Sequence, residues 1–274
     1  MDYYSLPTAR LENDYFALDY LTHAGPRIVR LIPRRLGQNL LAEVPDAQLP
    51  SPYGPYHLWG GHRLWHAPEI RARTYVPDDG GVRVTELADG VTLRYDERHT
   101  GIRKEVEIRL ASLAPRVELV HRLTNNGLWP VELAPWAITQ LKAGGTAILP
   151  TPTDDPDGLL PNRLVALWPY SRWDDPRLRL TDEAIEIHTQ PLARPFKIGY
   201  LNRAGWMEYR YEGVTFRKRW TPQPDRPHVD FGCNAECYTN DKMIELETLG
   251  PLVRLDLGET VEHVEVWEVE DTVV

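Results

Sequence analysis

Two glutamates spaced two residues apart head the groups in this chain that could do chemistry. They stand in Met243-Ile244-Glu245-Leu246-Glu247-Thr248, where polar and apolar residues alternate. That alternation is the mark of a half-buried strand. It puts Glu245 and Glu247 on one face and Ile244 and Leu246 on the other, with the carboxylates about 7 Å apart along the chain. Paired carboxylates on a rigid strand suit acid/base work on a sugar, and they also occur on ordinary solvated sheet faces. A second dense stretch is Gly60-Gly61-His62-Arg63-Leu64-Trp65-His66-Ala67-Pro68-Glu69. The glycines permit a positive φ or a close approach of backbone to ligand. His62 and His66 could shuttle a proton near neutral pH, and Arg63 could bridge neighbouring hydroxyls. Lys197 and Lys218 could each aim an ammonium at a sugar oxygen, although either alone reads as a surface lysine. His121, on the apolar side of Val117, Leu119 and Leu123, reads as a satisfied core residue.

Strands must position these groups. Short alternating segments recur at 27–32, 82–87, 91–95, 104–110, 117–123, 131–141 and 261–269, and 24 prolines punctuate the loops between them. No segment carries a sustained helical period. Ala88-Asp89-Gly90 and Asn125-Asn126-Gly127 read as hairpin turns. The Pro- and Asp-rich region 150–180 reads as a long loop over a sheet. No repeat or linker divides the chain, so residues 1–274 are expected to form one all-β domain of two packed antiparallel sheets.

Composition removes several classes of function. A formal net charge of −9 disfavours a nucleic-acid partner. No apolar run approaches the roughly 20 residues of a membrane helix, and the N-terminus lacks the pattern of a signal peptide. The two cysteines, Cys233 and Cys237, are too few for a disulfide scaffold and are expected to be free thiols in the cytoplasm. A metal site recruiting them with His228 and Asp230 would match no common zinc spacing, so no metal and no cofactor are expected. Serine-hydrolase, nucleotide-loop and zincin motifs do not occur in the sequence. Nine Trp and 13 Tyr against four Phe offer flat faces for a pyranose ring, but such residues also fill β-sandwich cores.

Several stretches resemble the galactose mutarotase-like superfamily, which includes the aldose 1-epimerases and hexose-6-phosphate 1-epimerases. Tyr15-Phe16-Ala17-Leu18-Asp19, followed by 25–31, is similar to the opening hairpin of that family. Residues 60–68 are similar to its Gly-Gly…Trp-Pro stretch. Leu123-Thr124-Asn125-Asn126 and Leu257-Gly258-Glu259 match two of its turns, and Leu246-Glu247-Thr248 matches its L-E-T motif. The resemblance implies an antiparallel β-supersandwich, with Glu247 as catalytic base and Arg63 as a sugar-binding residue. It also implies a departure. Residues 133–141 line up without gaps on the family's L-T-N-H-S-Y-F-N-L strand, and Trp136 falls on its catalytic histidine.

The expected function is carbohydrate binding, with possible mutarotation: Glu247 as base, His62 or His66 as the replacement acid, and Arg63, Trp65, Trp136, Glu245, Lys197 and Lys218 around the sugar. The alternatives are a sugar-binding protein without turnover and a lyase or hydrolase acting on an acidic sugar through Glu245 and Glu247. The expected partner is a small carbohydrate, with no nucleic acid and no membrane, for a monomer or homodimer.

Overall fold

The computed structural model describes residues 2–153 and 157–272. The period-2 segments are strands, and the one α-helix among the described residues is the single turn Arg71–Thr74. Two large antiparallel sheets carry most of the chain, and a two-stranded hairpin lies apart from them.

The first sheet runs through Arg27–Pro33, His62–Ala67, Val131–Lys142, Met243–Leu249, Ala235–Thr239, Phe196–Tyr200 and Val165–Leu167 in that spatial order. The strand with the two glutamates therefore lies inside the sheet, flanked on both sides. Its register pairs Gln140 with Glu245 and Ile138 with Glu247 on one neighbour. On the other neighbour it pairs Glu236 with Glu247 and Tyr238 with Glu245. The second sheet contains Arg116–Asn125, Ile102–Leu110, Val214–Trp220 and Thr260–Asp271. Leu64, Ile198, Ile244 and Leu246 from the first sheet meet Val106, Leu119, Phe216 and Trp267 from the second in one continuous core.

The first sheet is also buried on its other face. Trp65, Trp136, Ile138, Met243 and Leu249 form a second apolar cluster with Val44, Tyr56 and Leu58. Val44, Tyr56 and Leu58 belong to the hairpin of Glu43–Ser51 and Gly54–Gly60, which lies over this outer face. Gly60 and Gly61 make the hand-over from hairpin to sheet possible. Their φ values are 102° and 71°. A Cβ would sit 2.1 Å from the Ala42 carbonyl oxygen at Gly60, and 2.0 Å from that of Ile28 at Gly61. Only glycine fits such positions.

Two expectations change here. Ala88-Asp89-Gly90 does close a hairpin, between Arg83–Leu87 and Gly90–Asp96. The Asn125-Asn126-Gly127 turn does not, because the strand before it pairs within the second sheet and the strand after it within the first. The turn carries the chain from one layer to the other. The 150–180 region is not wholly a loop. It contributes the short strands Val165–Leu167 and Leu178–Leu180, and its residues 154–156 lie outside the described residues. No helix among the described residues is long and apolar enough to cross a membrane.

Candidate functional site

Alternation along five adjacent strands brings one set of side chains to the outer face: Arg63 and Trp65, then Trp136 and Gln140, then Glu245 and Glu247, then Glu236 and Tyr238, then Lys197. Of these, Arg63, Trp65, Trp136, Glu245, Tyr238 and Lys197 line a cavity of about 150 Å³, together with Leu49, Leu58, Tyr75 and Tyr170. The expectation is that Glu245, Glu247, Arg63 and one of His62 and His66 line one cleft; Arg63 and Glu245 line this cavity, with Trp65, Trp136 and Lys197, whereas Glu247 and both histidines do not.

The two glutamates differ in their surroundings. Glu245 lines the cavity. Its Oε1 accepts from Arg63 Nη2 at 3.2 Å and from Gln140 Nε2 at 2.7 Å. Burial raises its pKa, with Arg63 opposing. Glu247 is fully buried and is not among the cavity-lining side chains. Its Oε2 accepts from Trp136 Nε1 at 2.8 Å and from Lys197 Nζ at 2.9 Å. The same ammonium lies 2.6 Å from Glu236 Oε2. Burial works against the Lys197 charge, but Glu236 and Glu247 outweigh it and lift its pKa well above the usual lysine value. Burial pushes the Glu236 carboxyl well above its ordinary range, with the Lys197 ammonium opposing. Lys197 is thus not the surface lysine its sequence context suggests. It lies 4.7 Å from the Trp136 ring centroid and 4.5 Å from that of Trp168, and Arg63 stacks on Trp65 at 4.1 Å. Both are cation–π distances.

The polar groups here are incompletely paired. Arg63 Nε and Nη1, Gln140 Oε1, Glu236 Oε1 and Glu247 Oε1 are buried and have no hydrogen-bond partner among the described residues. Buried orphans are uncommon in folded proteins and gather where a ligand or water completes them.

Three expected site residues lie elsewhere. His62 and His66 alternate with Arg63 and Trp65, and so point into the layer between the sheets. His62 Nε2 is 2.8 Å from His121 Nε2, and its Nδ1 is 2.9 Å from Thr139 Oγ1. His66 Nε2 is 3.3 Å from Glu97 Oε2, beside Lys104. Lys218, from the second sheet, is buried against Glu265 at 2.8 Å and donates to the Leu246 carbonyl at 3.1 Å. None of the three reaches the cavity. The replacement acid expected for Glu247 is therefore missing from its place. The reason is the period of two: Arg63 and either neighbouring histidine cannot share a face.

These inner residues build a separate network. His62, His121 and Glu265 offer ligand atoms within 4.8 Å of one another. The atoms are committed to each other and to the protein: the two Nε2 atoms share a hydrogen bond, and Glu265 is held by Lys218, Thr248 and Trp267. The Lys218 ammonium already stands where a metal's charge would be needed. Burial drives the pKa of His62 well down and lowers that of His121, and it takes His263 to about 3, which favours the neutral ring in each.

Sequence reasoning missed Glu236, Gln140, Tyr75, Tyr170 and Tyr238. Glu236 and Tyr238 carry the same period-2 signal as Glu245 and Glu247, in a segment whose two cysteines drew the attention. Gln140 lies four residues after Trp136 on one strand, hence on the same face. Tyr75 and Tyr170 come from loops, and no local pattern announces them.

No protein-family model and no curated protein matches the sequence. Solved structures do match. A galactose mutarotase-like protein from Lactobacillus casei superposes with a TM-score of 0.58 at 9% identity, covering 96% of this chain and 100% of that one. The fold is galactose mutarotase-like. A galactose mutarotase related enzyme from Lactobacillus acidophilus agrees, with a TM-score of 0.51 at 10% identity over 97% of this chain and 98% of that one. A TPR-domain containing protein from Parabacteroides distasonis gives 0.67 at 14% identity over 98% of this chain. This chain spans 48% of that longer protein. At these identities the likeness establishes the architecture.

Proposed function

We propose that the outer-face cavity binds a free monosaccharide and that the domain does not accelerate mutarotation of that sugar. The observation that carries this reading is the state of Glu247. A mutarotase needs a base that reaches the anomeric hydroxyl and an acid that reaches the ring oxygen. Glu247 does not line the cavity, and its Oε2 is tied to the Trp136 indole and the Lys197 ammonium. An indole N–H donates a hydrogen bond but does not titrate. The histidines that could have supplied an acid face the other way.

Binding is supported by the lining. The cavity's roughly 150 Å³ suits one pyranose rather than an oligosaccharide. Trp65, Trp136, Tyr75, Tyr170 and Tyr238 supply aromatic surface, and Arg63 and Glu245 supply a donor and an acceptor side by side. The folds of the Lactobacillus proteins named above are consistent with a sugar ligand. The lyase or hydrolase reading loses its support, because it needs both glutamates at the ligand and only Glu245 lines the cavity.

Calorimetric titration of aldoses, paired with polarimetry of a freshly dissolved anomer, tests the proposal. Binding without a change in the mutarotation rate is expected. A rate increase proportional to protein concentration would overturn the no-turnover half. Failure of every aldose tried to bind would overturn the other.

A further inference from the structure

The cavity touches one of the two glutamates, and its charge is unusual for a sugar-phosphate site. Glu245 and Glu69 line it together with Arg63 and Lys197. Directly behind, Glu236 and Glu247 grip the Lys197 ammonium. Four carboxylates thus face two cations, so the cluster has no spare positive charge. Lys197 has no free charge to offer, and Arg63 already gives Nη2 to Glu245.

We infer that Glu245, rather than Glu247, is the carboxylate that meets the ligand, and that the Glu245–Arg63 pair selects an uncharged sugar over one bearing a carboxylate or phosphate. The inference rests on the sugar-binding reading above. Its physical basis is the inventory of donors and acceptors. A hydroxyl both donates and accepts, so it can give its hydrogen to Glu245 while taking one from Arg63, whose Nε and Nη1 have no partner among the described residues. An anionic oxygen only accepts. It would satisfy Arg63 but lie against the Glu245 carboxylate, and like charges juxtaposed in a buried site are strongly unfavourable. Gln140 acts through Glu245. Its amide nitrogen fixes Oε1 at 2.7 Å, which makes it a positioning residue.

The test compares a hexose with its own uronic acid, a pair of nearly equal volume that differs in charge. Titration calorimetry with glucose and galactose against glucuronate and galacturonate is run on the wild type and on Glu245→Gln. The neutral sugar is expected to bind the wild type at least about tenfold more tightly than its uronate, the scale of one unfavourable charge contact. Glu245→Gln is expected to weaken the neutral sugar by about tenfold while narrowing the gap to the uronate, a change in selectivity that general loosening of the fold would not produce. The wild-type comparison stands even if the variant folds poorly. A uronate that binds as tightly as the hexose, or a Glu245→Gln variant with unchanged affinity and unchanged selectivity, would overturn the inference. Absence of binding by all four sugars would instead remove the sugar-binding reading, and this inference with it.

Discussion

Replacing Trp136 with Phe while replacing Glu247 with Gln measures the bond on which the no-turnover reading depends. Trp136 is only 3% exposed and packs edge-on against Trp65 at a centroid distance of 5.3 Å. It is therefore not the partly exposed cleft residue that its sequence position suggests, and its truncation has a cost. Trp136→Phe keeps an aromatic ring in place but deletes the Nε1–H that reaches Glu247 Oε2 at 2.8 Å. A hydrogen bond to a charged group contributes about 1.5–3 kcal/mol. Lys197 remains on the same oxygen, so the lower part of that range applies, and the smaller ring adds roughly 1 kcal/mol of lost packing. The single variant should lose about 2–3 kcal/mol, or roughly 4–12 °C of Tm. Part of that loss is shared with Glu247→Gln. A double-mutant cycle in urea should return a coupling energy of about 1–2 kcal/mol, above the roughly 0.5 kcal/mol expected for independent sites. Additivity within that margin would show that the indole does not hold Glu247, and the explanation for a tied-up base would fail.

Other consequences follow from the buried charges and the backbone. His62, His121 and His263 should each titrate below pH 6.5 by NMR, since burial lowers all three from the ordinary histidine value of 6.5. They contribute stability that is complete above pH 6.5 and declines as pH falls below it, and a midpoint near 6.5 for any of them would contradict their placement. Glu236 works in the opposite sense, because its raised pKa gives stability that is present below the usual carboxylate value of 4.5 and is lost as pH rises. Glu236→Gln should therefore gain on the wild type in urea unfolding as pH rises above 4.5; a difference independent of pH would refute the assignment. Gly61→Ala should unfold well below the wild-type Tm or fail to fold, because its Cβ would meet the Ile28 carbonyl at 2.0 Å; a Tm within a few degrees would refute the reading of the Gly-Gly turn.

The fold was legible because strand periodicity is local. The segments around 104–110, 117–123 and 243–248 each announce two distinct faces, and the structure keeps them as the strands Ile102–Leu110, Arg116–Asn125 and Met243–Leu249, the last of them buried on both faces. The same rule was available for the site and would have corrected it. His62, Arg63, Trp65 and His66 lie on one strand, so parity alone separates the histidines from the arginine. The glycines form a tight crossing, and the strand whose parity decides the matter starts at His62. Parity also pairs Glu236 with Glu247 across two strands, but only a register supplies that partnership, and register is a property of the sheet. Lys218 shows the remaining limit. Its segment alternates like any other, and nothing in it tells which face meets the other sheet. The second burial of the first sheet beneath the 43–60 hairpin was likewise invisible, and it adds Leu49 and Leu58 to the lining of the cavity.

The central claim is binding without turnover, and one NMR experiment addresses both parts. A freshly dissolved single anomer of glucose or galactose is mixed with the protein, and saturation-transfer signals are recorded together with the rate at which the second anomer appears. The account predicts saturation transfer to the sugar and an anomerisation rate equal to that of the sugar in buffer. A faster rate that Glu247→Gln returns to the buffer value would contradict it and restore Glu247 as a working base.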